Sequence, residues 1–88
     1  MKKTQIATLK FLYGGSKYYY EITDELHKVF PEMKTGINSF NTGVMLDYLV
    51  KVNYIKKEKT YTYLTYCLTP KGKKYVFKLR CLGVNNDK

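Results

Sequence analysis

Residues 53–82 decide the fold, and they read NYIKKEKTYTYLTYCLTPKGKKYVFKLRCL. The first half of this stretch is rich in tyrosine, threonine, isoleucine and leucine, which favour β-strands. Leu64, Tyr66 and Leu68 fall on one face of the second strand, because side chains alternate along a strand. The pattern therefore predicts a β-hairpin over residues 53–68.

Both ends of the hairpin carry signals of a neighbouring helix. Thr69 followed by Pro70 is typical of a helix start, because the threonine hydroxyl caps free N–H groups and proline has none to satisfy. We predict a last helix over residues 70–83. Asn53 suits the left-handed position that follows a helix, so we predict that the preceding helix ends at Val52.

This order of helix, hairpin and helix resembles the winged helix-turn-helix family. In that family a Leu-x-x-Leu recognition helix precedes a Gly or Asn cap and an apolar pair, and the second wing strand ends in Tyr-x-Leu-Thr-x-x-Gly. The matching residues here are Leu46, Leu49, Asn53, Tyr54, Ile55, Tyr66, Leu68, Thr69 and Gly72. The run Tyr20-Glu21-Ile22, followed by Leu26, resembles the second helix of PadR-like regulators.

The resemblance implies an α+β fold. We expect a winged helix-turn-helix with three helices, a two- or three-stranded wing and a C-terminal helix. The domain would span residues 1–83, with a disordered tail over residues 84–88.

Two further helices are predicted before the recognition helix. Apolar spacing predicts the first over residues 5–13, with Thr4 as its cap. The second is predicted over residues 17–30, before a proline that ends it. An alternative makes residues 17–20 a short strand and Thr23 the cap of the helix.

The recognition helix carries two apolar stripes at different angles. One comprises Ile37, Phe40 and Val44, and the other comprises Leu46, Leu49 and Val50. One straight helix cannot point both stripes inward. Either the helix restarts near residues 41–43, or one stripe faces a second subunit. We favour a third helix that ends at Val52, with its first turn displaced or separate. Thr35 is a candidate for its cap.

The chain of 88 residues has a net charge of +9. This positive charge is concentrated in the second half of the chain. Residues 1–47 carry six lysines against five acidic residues, whereas residues 48–82 carry eight lysines and Arg80 against Glu58 alone. Such a basic surface is typical of proteins that bind polyanions. Neither a signal peptide nor an apolar run of membrane-span length is recognisable, so we expect a cytoplasmic protein.

The resemblance assigns DNA-binding roles to two sets of residues. The amino-terminal end of a recognition helix meets base edges, and asparagine can pair with adenine. The candidates for base readout are Lys34, Thr35, Asn38, Ser39, Asn41, Thr42 and Met45. The alternative for this set is a role in caps and turns. The candidates for phosphate contacts, with a wing tip near residues 57–61, are Lys51, Lys56, Lys57, Lys59, Thr60, Tyr61, Lys71, Lys73 and Lys74.

The last helix is apolar on several sides, which predicts burial against more than one partner. We expect a homodimer whose interface comprises Ile6, Leu9, Val76, Phe77, Arg80, Cys81 and Val84. The resemblance implies a sequence-specific double-stranded DNA-binding protein, foremost a small PadR-like or MarR-like repressor. The bias towards lysine, asparagine and tyrosine, with almost no arginine, suggests an A·T-rich genome of a bacterium, phage or plasmid. A TubR-like segregation adaptor, partnered by a filament-forming NTPase, and a protein–protein interaction module are the alternatives.

The sequence contains no catalytic or metal-binding motif. His27 lies on a predicted helix without a nucleophile motif to support it, and we interpret it as a surface or boundary residue. Cys67 and Cys81 lack metal-ligand spacing and are interpreted as buried free thiols of a reducing compartment. We therefore expect no enzyme activity and no cofactor.

Overall fold

The computed structural model describes residues 1–33, 35–60 and 63–81. Four helices, one 3-10 turn and three strands follow one another in this part of the chain. They are α1 (Lys3–Leu12), β1 (Lys17–Tyr18), α2 (Tyr19–Val29), the turn Pro31–Met33, α3 (Ser39–Lys51), β2 (Ile55–Thr60), β3 (Tyr63–Leu68) and α4 (Pro70–Cys81). The strands form one antiparallel sheet in the order β1–β3–β2, so the predicted α+β class and winged-helix architecture are confirmed.

Strand pairing in the hairpin continues closer to the turn than the sequence indicated. Its register places Ile55 opposite Leu68 and Thr60 opposite Tyr63. Lys57 faces Tyr66 in the middle of the ladder, so the predicted wing tip at residues 57–61 begins too early. Both runs are rich in residues that fit a pleated surface, and this sustains pairing up to Thr60.

Two helices start at residues other than those predicted. In each, a side chain in the first turn accepts a hydrogen bond from the backbone N–H of the residue before the helix. Gln5 Oε1 accepts the backbone N–H of Lys2 at 2.9 Å, so α1 begins before Thr4. Glu21 Oε1 accepts the N–H that precedes α2 at 2.8 Å, so Thr23 lies inside the helix rather than at its cap. The short-strand alternative is confirmed for residues 17–18.

One apolar core lies between the helices and the inner face of the sheet. Its buried members are Leu9, Leu12, Ile22, Leu26, Ile37, Leu46, Leu49, Ile55, Tyr66, Leu68 and Val76. Leu9 and Val76 are 0% and 1% exposed, so their assignment to a dimer interface is wrong. They face inward because α1 and α4 each bury one side against the other elements of the chain.

Hydrogen bonds and a close backbone approach join α3, β2 and α4 where they meet. Asn53 adopts φ 69°, which confirms the predicted left-handed cap. The Thr69 hydroxyl donates to the Asn53 carbonyl at 2.6 Å and accepts the Gly72 N–H at 3.1 Å. A Cβ atom on Gly72 would lie 2.1 Å from the carbonyl oxygen of Tyr54. Only glycine therefore lets α4 pass this close to the start of the wing.

The cysteines are less buried than expected. Cys67 is half-buried and Cys81 is exposed, and neither is in a disulfide among the residues described. The prediction of a buried thiol is wrong for Cys81, because α4 turns its Gly72–Val76 side to the core and leaves Cys81 outside. No helix in the described ranges has the length and apolarity needed to cross a bilayer.

Candidate nucleic-acid interface

The helix α2 holds the start of α3 in place. The Tyr19 hydroxyl donates to the Ser39 carbonyl, and the His27 ring Nε2 lies 2.5 Å from the Ile37 carbonyl. Gly43 lies under the Tyr19 ring, where an added Cβ would come within 3.3 Å of the hydroxyl oxygen. These contacts position the amino-terminal end of α3 on a rigid support. His27 is half-buried, as expected for a boundary residue.

The side chains of the two asparagines proposed for base readout make hydrogen bonds at the start of α3. Asn38 Oδ1 accepts the backbone N–H of Asn41 at 2.8 Å and is the N-cap of the helix. Asn41 Nδ2 donates to the Gly36 carbonyl, also at 2.8 Å. The prediction of Thr35 as the cap is therefore wrong. The side-chain amides of Asn38 and Asn41 therefore make the contacts that the alternative of caps and turns predicts. Thr35 and Ser39 are exposed nearby.

Thr42 and Met45 do not lie on the outer surface of α3. Thr42 is 2% exposed, and its hydroxyl has no hydrogen-bond partner in the described part of the molecule. Met45 is half-buried and packs against the core. The assignment of Thr42 to base readout is wrong, because its position on α3 points between Leu46 and Leu49, which are also buried. The helix is continuous from residue 39 to 51, so the predicted restart near residues 41–43 is also wrong.

An apolar stripe occupies the outer face of α3. Phe40, Val44 and Tyr48 are 76%, 54% and 48% exposed, and they follow one another at intervals of four residues. Lys51 is exposed at the carboxyl end of the same face. The first of the two predicted stripes thus divides, since Ile37 enters the core while Phe40 and Val44 face outward. Phe40 and Val44 are not among the interface residues predicted from the sequence, although their rotation from Leu46 and Leu49 is a signal that the sequence carries.

The wing presents two of its lysines on the side that faces α3. Lys57 Nζ lies 3.9 Å from Oδ1 of Asp47 on α3. Lys59 shares the face of Lys57, because strand side chains alternate. Lys56 lies on the opposite face, where its Nζ is 3.5 Å from Oε2 of Glu58. The predicted lysine cluster of the wing is therefore divided between two faces.

The first lysine of α4 makes its contacts with other residues of the same chain. Lys71 Nζ donates to the Val52 carbonyl at 2.9 Å and lies 4.7 Å from the centre of the Tyr54 ring. A cation there complements the carboxyl end of α3. This end is about 20 Å from the start of the helix, at 1.5 Å per residue. Lys73 and Lys74 are exposed, so they retain the surface position that phosphate contacts require.

Tyr66 lies on β3 of the wing and belongs to the core, with 4% of its surface exposed. Burial raises the pKa of Tyr66 above its ordinary value, and the nearby Asp47 carboxylate and Tyr19 raise it further. The acidic group of α3 therefore acts electrostatically on both strands of the wing.

The proposed dimer residues are dispersed. Phe77 is 58% exposed and Cys81 is exposed on α4, while Ile6 on α1 is half-buried. The Arg80 guanidinium lies 5.1 Å from the centre of the Tyr13 ring and joins α4 to α1. Four predicted site positions lie outside the described residues, namely Lys34, Tyr61, Val84 and the side chain of Thr60.

Within residues 1–33, 35–60 and 63–81, no group of three or more His, Cys, Asp or Glu side chains could hold a metal ion.

The helix pair α2–α3, the hairpin beside it and the closing helix α4 define a winged helix-turn-helix fold. Among solved structures, this chain is similar to RosR of H. salinarum, with a TM-score of 0.82 and 21% sequence identity. The alignment covers 98% of this chain and 76% of the RosR chain. No protein-family model and no curated protein matches the sequence. The comparisons establish the fold, and they do not confirm membership of the PadR-like, MarR-like or TubR-like groups.

Proposed function

We propose that this protein binds double-stranded DNA as a small transcriptional regulator. The helix α3 would enter the major groove, and the β2–β3 hairpin would follow the phosphate backbone. The observation that carries the proposal is the 3.9 Å approach of Lys57 to Asp47. It supports a single continuous surface made of the wing and the exposed side of α3.

The charge of this surface supports a polyanionic partner. Lys51 is exposed on the outer face of α3, and Lys57 reaches the same helix from the wing, where Lys59 shares its face. Asp47 is the one acidic side chain of α3. Lysines placed this way neutralise phosphates and release counterions, which supplies much of the affinity of DNA-binding proteins. RosR is a winged-helix transcription regulator, and its similarity to this chain supports the same class of activity.

We further propose that the protein acts as a homodimer and represses transcription by occupying its site. Phe77 on α4 is 58% exposed and is one turn from the exposed Cys81. A second copy that covered this ring would remove its apolar surface from water. Sedimentation at tens of micromolar should show a dimer that Phe77→Ser dissociates and Val29→Ser, at an exposed apolar position on α2, does not. A monomer throughout the concentration range would contradict this part of the proposal.

DNA binding is tested by gel-shift assays with genomic fragments and with random duplexes at low and at moderate salt. We expect binding to both at low salt, and a steep loss with salt for the random duplexes. Specific fragments should remain bound at moderate salt, because base contacts add to the phosphate contacts. The absence of a shift on every duplex would reject DNA binding and favour the alternative of an interaction module for another protein.

A further inference from the structure

Two side chains on α3 are exposed in a way that the fold does not require. Phe40 and Val44 are 76% and 54% exposed and lie one turn apart on the side opposite the core. Lys51 continues the same face two turns later. Full burial of a phenylalanine or valine side chain is favourable by about 1.5–3 kcal/mol, so this stripe gains free energy when a ligand covers it.

The side-chain amides at the start of α3 are already hydrogen-bonded within the chain, which limits their use for reading bases. The side-chain oxygen Oδ1 of Asn38 accepts the backbone N–H of Asn41, and the side-chain nitrogen Nδ2 of Asn41 donates to the Gly36 carbonyl. Thr42 is buried. Each amide already makes one hydrogen bond within the chain, so a bidentate pairing with adenine would have only its remaining lone pair and N–H groups to use. The outer face of α3 is therefore suited to apolar contact more than to hydrogen bonding.

We infer that Phe40 and Val44 are specificity-determining residues that contact the C5-methyl groups of thymines in the major groove. The inference depends on the proposed DNA-binding function and names the sequences it selects, which are rich in A·T pairs. The thymine methyl is the apolar group that base pairs present in that groove, and side chains such as phenylalanine contact it. Cytosine carries hydrogen at the same position, so the contact distinguishes thymine from cytosine.

The charges around the stripe favour DNA over an apolar partner protein. Lys51 lies at the carboxyl end of the stripe's face, and Lys57 approaches the same helix from the wing. Lys59 shares the strand face of Lys57. The carboxylate of Asp47 is close enough to Lys57 to be partly neutralised. An apolar centre with a cationic border complements the major groove, where methyl groups lie between two rows of phosphates.

The test compares duplexes that differ only in the methyl group. A tight-binding duplex is selected from a random pool and synthesised with thymine or with 2′-deoxyuridine, which keeps the base pairing and removes the methyl. Fluorescence anisotropy with the full chain should show weaker binding to the uracil duplex. The expected loss is about fourfold for each methyl group covered, and roughly fifteenfold for two.

The variants assign the effect to the stripe. The double variant Phe40→Ser, Val44→Ser should bind the thymine duplex and the uracil duplex with about the same weak affinity. Once the apolar side chains are gone, the methyl group has no partner, so its removal has no further effect. Val29→Ser is the matched control, since Val29 is 47% exposed on α2. It should keep the full preference for thymine. Circular dichroism confirms that the exposed substitutions leave the fold intact.

Three outcomes would overturn the inference. Equal affinity of the unchanged protein for the two duplexes would reject methyl readout and leave DNA binding in place. Wild-type affinity in the Phe40→Ser, Val44→Ser protein would assign the stripe to a partner protein. The absence of binding to any duplex would reject the DNA-binding function together with the inference.

Discussion

Lys57 of the wing and Asp47 of α3 form an ion pair, with Nζ 3.9 Å from Oδ1, across the surface that we propose for DNA. Their side chains are 45% and 72% exposed, and such exposed pairs contribute at most about 1 kcal/mol to stability. The pair matters more for its charge. Asp47 pairs with Lys57, which makes this lysine less available to a phosphate, and it places a negative charge where phosphates would approach.

Replacing Asp47 with asparagine should strengthen DNA binding. The substitution removes one repulsive charge and releases Lys57 for a phosphate, and we expect a gain of about twofold to fivefold at low salt. Anisotropy titrations measure the gain. Asp24→Asn, at an exposed acid on α2, lowers the acidic charge equally and is the control. Equal gains in the two variants would show that net charge alone is responsible.

The two faces of the wing should differ in their contribution to binding. Lys57→Gln and Lys59→Gln should weaken binding to all duplexes and lower the salt slope by about one each. Lys56→Gln, with its side chain on the other face beside Glu58, should change both much less. Titrations at several salt concentrations measure the slope. Three equal effects would mean that the wing contacts DNA through its tip or through both faces.

Thr42→Val should stabilise the protein and leave DNA binding unchanged. The Thr42 hydroxyl is buried without a partner among the described residues, and valine has nearly the same shape without the unsatisfied group. We expect a gain of about 1 kcal/mol in the free energy of unfolding, measured by urea denaturation. Thr8→Val is the matched control. The Thr8 hydroxyl donates to the Thr4 carbonyl at 2.8 Å, so this substitution should destabilise by about 1 kcal/mol. Loss of DNA affinity in a folded Thr42→Val protein would restore Thr42 as a base reader.

Gly72→Ala should destabilise the fold even though alanine favours helices. The new Cβ would lie 2.1 Å from the Tyr54 carbonyl oxygen and 3.1 Å from Leu68 Cδ2. Overpacking against backbone costs about 3 kcal/mol, more than the helix propensity gained. Thermal denaturation measures the change. At Gly14 the nearest atom would be 3.7 Å away, so Gly14→Ala should have little effect. A stable Gly72→Ala protein would mean that α4 can move away from the wing.

The stability of the protein should fall at high pH in a way that depends on Tyr66. Burial, assisted by Asp47 and Tyr19, raises the pKa of this phenol in the folded state. The unfolded chain loses the proton near pH 10 while the folded chain keeps it, with about 10 as the ordinary value. The contribution of Tyr66 to stability is therefore complete below pH of about 10 and is lost as the pH rises through the folded pKa. Tyr66→Phe should flatten this decline in urea denaturation curves, whereas Tyr20→Phe, at a side chain that is 61% exposed, should not. An unchanged slope in Tyr66→Phe would contradict the raised pKa.

Local signals predicted the architecture well at the hairpin and poorly at the start of α3. The Thr69-Pro70 start and the left-handed Asn53 were visible because capping depends on residues close in the chain. The cap of α3 was misplaced at Thr35, since several residues there can cap a helix and only the contacts of Asn38 and Gly36 select one. The candidate site shows the same division. Lysines can be recognised as cationic from sequence, but the face on which each one lies depends on strand register.

The sequence by itself determined the order of the elements, the position of the wing between two helices and the excess of positive charge. These properties arise from local propensity and composition, which do not require knowledge of distant contacts. The tertiary structure alone decided that Thr42, Leu9 and Val76 are buried and that Phe40 and Val44 face outward. The reason is that a helix exposes whichever side its neighbours leave uncovered. That side is set by how α2 packs against α3, through partners such as Tyr19 and Gly43 that are distant in the chain.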